Sequence, residues 1–113
     1  MAEIAIVNDD LMPISKLPSV YQDRGTFFGD GVYEVLRSYN GRIFELDAHL
    51  ARFERSLKEI WIEGIDIKNI RSKVVRAFEE GGFPNAKCYF HITRGSEPRN
   101  HQPGKNLKPN FFL

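Results

Sequence analysis

The sequence lacks a second cysteine, a long apolar run and an excess of charge of either sign. Its one cysteine, Cys88, excludes a disulfide within the chain and suits a reducing compartment. No run approaches the ~20 apolar residues that a membrane-spanning helix needs. The net charge of +1 gives no electrostatic reason to expect nucleic acid or an anionic membrane as a partner. These absences predict a soluble, cytoplasmic protein.

Two further features are missing. The N-terminus has no basic segment followed by an apolar core, so no signal peptide is predicted. The three histidines, His49, His91 and His101, are scattered without partners at ligand spacing, so no metal site is predicted. What remains is an ordinary globular composition over 113 residues, with 42% hydrophobic and 27% charged residues. That length fits one domain and is small for a complete enzyme.

The order of the predicted elements indicates an α+β fold, in which a two-layer arrangement sets an antiparallel sheet against two packed helices. Strands are predicted over residues 3–8, 11–15, 32–39, 42–45, 86–93 and 109–113. Residues 16–23 are predicted to be a connecting loop, and Pro13 favours an edge position because proline cannot donate to a ladder. The Asn40-Gly41 pair predicts a tight hairpin, since both central residues of a type I′ turn need positive φ.

Two helices are predicted from caps and spacing. Asp47 is the expected N-cap of the first, in which Leu50, Phe53, Leu57 and Ile60 recur at helical spacing. The second helix is predicted over residues 67–80, with Asp66 as its N-cap and Gly81-Gly82 as its end.

Residues 23–60 organise the functional interpretation. Tyr33 lies near the start of a strand and Arg52 about one turn into the first helix, so two rigid elements could bring a phenol and a guanidinium to a common cleft. The glycines at 25, 29 and 31 could permit close approach of a ligand, but a strand follows them, so neither a dinucleotide fingerprint nor a P-loop is supported. The alternative for the glycines is a structural turn beneath a cluster of aromatic residues. The alternative for Arg52 is an ordinary solvated surface arginine.

The strand over 32–39 carries charged residues on both faces, which predicts a sheet edge or a polar cleft. In the later loop, Arg99 and His101 are two residues apart, so their side chains point the same way in extended backbone. An arginine fork and a histidine donor could together grip a small carboxylate. The alternative is an ordinary polar loop.

Three motifs resemble the class IV (fold type IV) pyridoxal-phosphate-dependent aminotransferases. They are DRG-x-x-FGDGVYEV at residues 23–35, ELDAHLARF at 45–53 and YFHITRG at 89–95, and their order and spacing agree with that family. The resemblance covers nearly the whole chain, 1–113, but only the smaller N-terminal domain of the family. Within it, SEPRNH at 96–101 is similar to the D-amino-acid aminotransferases, whose loop carries Arg-x-His for the substrate carboxylate.

The resemblance implies roles for six residues: Arg52 on the phosphate of the pyridoxal 5'-phosphate cofactor, Tyr33, Arg99 and His101 as a carboxylate trap, and Val35 and Tyr89 as pocket lining. In the family the Arg-x-His loop reaches the active site of the neighbouring subunit, which implies a homodimer. The family also needs a lysine that holds the cofactor as a Schiff base and a carboxylate facing the pyridine nitrogen. Both belong to the C-terminal domain, beyond Leu113, so no catalytic residue is assigned and the chain alone is expected to be inactive. The apolar run that ends at Leu113 also suggests a cut through a larger fold.

The resulting expectation is the N-terminal part of a transaminase that moves an amino group from a D-amino acid to a 2-oxo acid. A branched-chain L-amino-acid aminotransferase or an aminodeoxychorismate lyase is the second hypothesis, against which the Arg99-x-His101 pair argues. A non-catalytic interaction module acting through its surfaces is the third.

Overall fold

The computed structural model describes residues 3–113. Those residues form six strands and three α-helices: β1 (Ile4–Val7), β2 (Asp10–Pro13), α1 (Arg24–Phe28), β3 (Gly31–Tyr39), β4 (Arg42–Ile43), α2 (Leu46–Glu59), α3 (Ile67–Gly81), β5 (Lys87–Thr93) and β6 (Asn110–Phe112). None of these helices combines the length and the apolar composition that crossing a membrane requires.

The strands make one four-stranded sheet in the order β4-β3-β5-β6 and a separate hairpin of β1 and β2. All pairings are antiparallel. The predicted α+β fold with an antiparallel sheet and two packed helices is therefore confirmed. Strand β4 pairs with β3 only at Ser38 and Tyr39, so over residues 31–37 β3 has a partner strand, β5, on one side only. This agrees with the edge expected of a strand with charge on both faces.

The two long helices bury their apolar stripes against one face of the sheet. The Phe53 ring of α2 meets the Phe90 ring of β5 edge-on, with centroids 4.8 Å apart. Each large side chain buried in this way contributes about 1.5–3 kcal/mol. The buried hydrophobic cluster consists of Leu36, Leu50, Phe53, Leu57, Ile62, Ile70, Val74, Cys88, Phe90 and Ile92. This core fixes which face of β3 and β5 remains open.

The hairpin between β3 and β4 has the predicted backbone, with φ of 51° at Asn40 and 79° at Gly41. We expect Gly41→Ala to lower the free energy of unfolding by about 1–2 kcal/mol, because an L-residue is strained in the left-handed region. Gly81→Ala, inside the last turn of α3, is the matched control and is expected to be neutral or stabilising. Urea unfolding of both variants measures this, and equal stability of Gly41→Ala and the parent chain would contradict it.

Asp47 is not the N-cap of the first long helix. Helix α2 begins at Leu46, and Glu45, with φ of 54°, takes the capping position without a side-chain hydrogen bond. The chain must pass from β4 into α2 within two residues, and a left-handed residue makes that reversal. The Asp47 carboxylate instead accepts from Nε of Arg71 at 3.3 Å. The N-cap predicted for the second long helix is confirmed, since Asp66 accepts from the Lys68 amide at 3.0 Å.

Three predicted segments differ in detail. The loop over 16–23 contains one short 3-10 turn, Ser19–Gln22, and an earlier 3-10 turn, Ile14–Lys16, ends at its first residue. The glycine-bearing stretch contains helix α1, because Asp23 caps it by accepting from the Gly25 amide at 2.6 Å and Gly29 ends it at φ of 63°. The strand predicted over 42–45 is only Arg42–Ile43, since Glu45 already turns the chain into α2.

Candidate functional site

The sheet face opposite the helices carries three of the predicted site residues. Alternation along β3 and β5 places Tyr33, Val35 and Tyr89 there, and Val35 lies directly opposite Tyr89 in the register. The ring centroids of Tyr33 and Tyr89 are 5.4 Å apart. Tyr33 is 60% exposed and Tyr89 42% exposed, which is unusual for rings in one contiguous group. We call the group Tyr33, Val35, Tyr89, His91 and Phe112 the aromatic face.

His91 is a member of the aromatic face that the sequence analysis did not select. Its Nδ1 lies 2.6 Å from the Tyr89 hydroxyl, and its ring centroid is 5.1 Å from that of Phe112. Burial lowers the pKa of His91, and the nearby charge of Asp23 opposes this only in part. The imidazole is therefore neutral at pH 7 and links the phenol of Tyr89 to the sheet. Its position two residues after Tyr89 was the available signal.

Arg52 is held by a carboxylate from the helix-covered face of β3. The Glu34 side chain is 3% exposed, and it accepts from Nε and Nη2 of Arg52, both at 2.7 Å. His49 Nδ1 lies 2.8 Å from the same carboxylate. Such a bidentate pair fixes the plane of the guanidinium as well as its position.

The charges of this pair reinforce one another. Burial alone would raise the pKa of Glu34, but hydrogen bonds from Arg52 and His49 outweigh it and hold the pKa below its ordinary value. Hydrogen bonding and charge from Glu34 raise the pKa of Arg52, and Tyr33 adds a smaller electrostatic contribution. The two side chains come from different elements, Tyr33 from β3 and Arg52 from α2. A common cleft for them stays a prediction.

Arg52 has the geometry of an anion-binding group. Its side chain is 60% exposed although one edge of the guanidinium is fixed on Glu34. In residues 3–113, Nη1 makes no hydrogen bond, so donors remain free on the outer edge. A phosphate takes two parallel N–H donors well from such a fork. The residue present therefore fits the phosphate of the expected cofactor.

Arg99 and His101 converge on one aromatic ring. The Arg99 Cζ atom lies 5.2 Å from the Phe28 ring centroid, and the His101 ring lies 5.4 Å from it. Both side chains are exposed. No hydrogen bond, ring contact or cation–π contact within residues 3–113 joins either of them to Tyr33. The three residues expected to form a carboxylate trap are thus not assembled by one copy of this chain.

A buried ion network anchors the loop that carries this pair. Arg24 is 4% exposed and donates to Asp30 at 2.8 Å and to Glu97 at 3.1 Å. Arg94 donates to the same Asp30 oxygen at 2.8 Å. Burial alone would raise the pKa of Asp30, but Arg94 and Arg24 hold it below its ordinary value. The network therefore remains charged at neutral pH.

The sequence predicted Arg52, Arg99 and His101 as site residues but not the residues that hold them in place. Glu34 shares the strand parity of buried Leu36, and a carboxylate in that position needs a partner. His49 and Arg52 are three residues apart on α2 and hence on one side of the helix. Combining those two signals would have predicted the cluster. The contacts of Arg24 with residues 97–101 had no comparable local signal.

Acid is expected to destabilise the chain through these carboxylates. The pKa values of Glu34 and Asp30 are lowered from 4.5 and 3.8, so the unfolded chain takes up protons first as pH falls. Their stabilisation is complete above those ordinary values and is lost as pH falls through the lowered pKa values. Urea unfolding from about pH 7 to pH 3 should show stability falling below about pH 4.5. Glu34→Gln should flatten the decline, and an identical pH slope in that variant would contradict the assignment.

Comparison with known proteins identifies the family of this chain. A family model described as amino-transferase class IV matches residues 31–113. A D-alanine aminotransferase of Bacillus licheniformis is 40% identical over 108 residues, which are 92% of this chain and 37% of that protein. The D-alanine aminotransferase of Staphylococcus epidermidis is 41% identical over 91 residues, 79% of this chain and 32% of that protein. The chain thus spans less than two fifths of the length of these relatives.

Solved structures of other proteins are also similar to this chain. The 4-amino-4-deoxychorismate lyase of Pseudomonas aeruginosa is similar with a TM-score of 0.69 and 29% identity over 88% of this chain and 35% of that one. The branched-chain amino acid aminotransferase of Escherichia coli has a TM-score of 0.75 at 15% identity, over 92% of this chain and 36% of that one, which shows a shared fold. With matches in sequence and structure over most of its length, the chain belongs to the class IV amino-transferase family.

Proposed function

We propose that this chain is the N-terminal domain of a pyridoxal-phosphate-dependent transaminase that transfers an amino group from a D-amino acid to a 2-oxo acid. The observation that carries the proposal is Arg52, fixed on buried Glu34 with its outer edge open to an anion. The D-alanine aminotransferase relatives and the Arg99-x-His101 pair support the choice of D-amino acids.

In this proposal each residue has one task. Arg52 binds the cofactor phosphate. Arg99 and His101, together with Tyr33, donate hydrogen bonds to the substrate carboxylate and so orient the α-carbon. Val35 and Tyr89 form a wall of the pocket. The bound cofactor supplies an electron sink that makes the α-hydrogen acidic and a carrier for the amino group.

The groups that move protons lie, in our proposal, outside this chain. A lysine with that role needs burial, which depresses its pKa. All seven lysines of the chain are exposed. The lysine that binds the cofactor and the carboxylate facing its pyridine nitrogen would therefore come from a C-terminal domain, and residues 1–113 alone would be inactive.

The test compares the 113-residue chain with the longer protein that we propose contains it. Each is mixed with pyridoxal phosphate, D-alanine and 2-oxoglutarate, beside a control with cofactor alone. We expect pyruvate only from the longer protein. Turnover by the short chain would refute the proposal that the catalytic lysine lies outside it. No turnover by the cofactor-loaded longer protein would refute the proposal that it is a transaminase.

We also propose a cytoplasmic homodimer. One copy leaves Tyr33 without contact to Arg99 or His101 in residues 3–113, so a second subunit would complete the trap. Sedimentation of the longer protein should give the mass of a dimer, and a monomer that still transaminates would contradict this arrangement.

A lyase acting on 4-amino-4-deoxychorismate is the second candidate, favoured by the similarity to the Pseudomonas aeruginosa lyase at 29% identity. Turnover of that compound by the longer protein, with none of D-alanine, would favour the lyase. A branched-chain L-amino-acid aminotransferase has support from the shared fold alone. A stable monomer without affinity for the cofactor would instead favour a non-catalytic module.

A further inference from the structure

One phenylalanine contacts three functional groups from two parts of the chain. The Phe28 ring lies 4.7 Å from Arg24 Cζ and 5.2 Å from Arg99 Cζ. The His101 ring lies 5.4 Å away at an interplanar angle of 43°. Phe28 belongs to α1, which Asp23 caps, so the ring stands on a fixed element.

Arg24 holds the backbone of the same loop. Besides its two carboxylate partners, its Nη1 donates to the carbonyl of Asn100 and its Nη2 to the carbonyl of His101 at 3.1 Å. These acceptors are the carbonyl oxygens of two consecutive peptide groups, one on each side of the His101 Cα atom, so the contacts fix the path of the loop independently of its side chains. A lysine could not satisfy all of these acceptors, because it lacks the planar fork.

We propose that Arg24 and Phe28 are positioning residues for Arg99 and His101 of the carboxylate trap, an inference that rests on the proposed function. Arg24 fixes the backbone at residues 100 and 101, and Phe28 supports Arg99 and His101 through its ring. A ring contact leaves the N–H donors in the plane of the guanidinium free. Arg99 makes no side-chain hydrogen bond within residues 3–113, so those donors are available to a carboxylate.

Hydrogen exchange of the longer protein tests, without any assay of activity, whether Arg24 holds the backbone of this loop. Arg24→Lys is expected to speed exchange of the amides in residues 97–104 and to leave those of the hairpin at 39–42 unchanged. Arg76→Lys, on an exposed arginine whose partner is Glu80 at 3.9 Å, is the matched control. Unchanged exchange in 97–104 would overturn the role of Arg24.

Steady-state kinetics of the cofactor-loaded longer protein test the effect on substrate. Phe28→Leu keeps apolar volume and removes the ring, and we expect KM for D-alanine to rise ~5-fold with kcat nearly unchanged. A primary amine without a carboxylate should react equally well with the parent protein and with the Phe28→Leu variant. Phe28→Tyr should restore KM. Phe27→Leu is the control, since its ring contacts neither Arg99 nor His101 in the described chain.

The outcomes separate the two proposals. An unchanged KM in Phe28→Leu, or an equal loss with both substrates, overturns the positioning role while transamination by the parent protein stands. If the parent protein does not transaminate, the proposed function fails, and hydrogen exchange still decides whether Arg24 braces the loop.

Discussion

Replacing Glu34 by alanine is expected to lower the free energy of unfolding by about 2 kcal/mol, because a buried acceptor of charged hydrogen bonds is lost. Its carboxylate is 3% exposed and receives three donors, two from Arg52 and one from His49. Arg52 is mostly exposed and can return to water, which keeps the loss below that of a fully buried pair.

The same change should loosen Arg52. Without Glu34 the guanidinium has no fixed plane, so we expect the longer protein to bind pyridoxal phosphate ~10-fold more weakly, a difference of ~1.4 kcal/mol. Glu54→Ala is the matched control, because Glu54 meets Lys58 at 4.0 Å on an exposed face and such pairs contribute little. Urea unfolding and cofactor titration measure both effects. If the Glu34→Ala protein is as stable as the Glu54→Ala protein, the hydrogen bonds of Glu34 with Arg52 and His49 do not stabilise the fold as we expect.

Replacing Arg99 by alanine is expected to lower kcat/KM for D-alanine ~100-fold in the longer protein, because a charged hydrogen-bond partner of the carboxylate is removed. The loss should appear mainly in KM, since the carboxylate is bound before and during the reaction. Arg99→Lys should recover only part of it, because a lysine keeps the charge without the fork of donors. Initial rates over a range of D-alanine concentrations give both parameters.

Lys105→Ala provides the control for Arg99, since Lys105 is an exposed cation in the same loop with no assigned role. Cofactor affinity should be unchanged in both variants, as the phosphate contact is assigned to Arg52. An Arg99→Ala protein with the KM of the parent would remove the residue from the substrate site.

Local signals in the sequence were sufficient for much of the fold. The positive φ angles at Asn40 and Gly41 follow from residue types that tolerate them, and Asp66 caps α3 through its own short side chain. Asp47 shows the limit of such signals, because its residue type suits a cap while the reversal from β4 into α2 decides where the helix begins.

The site was less accessible to sequence reasoning because its contacts are distant along the chain. The ion pair of Glu34 and Arg52 requires both the parity of β3 and the docking of α2. Arg24 meets residues more than seventy positions away, at Glu97 and Asn100, and no periodicity specifies such partners. By contrast, the spacing of Arg99 and His101 suggested a shared direction, and both side chains lie against Phe28.

We propose that this chain supplies the arginine that binds the cofactor phosphate and the residues that bind the substrate carboxylate in an enzyme for D-amino acids. The most direct measurement is the initial rate of the cofactor-loaded longer protein with D-alanine and, separately, with L-alanine, each with 2-oxoglutarate as acceptor. We predict rapid formation of pyruvate from D-alanine and little from L-alanine. A preference for the L-enantiomer, or no reaction with either, would contradict the claim.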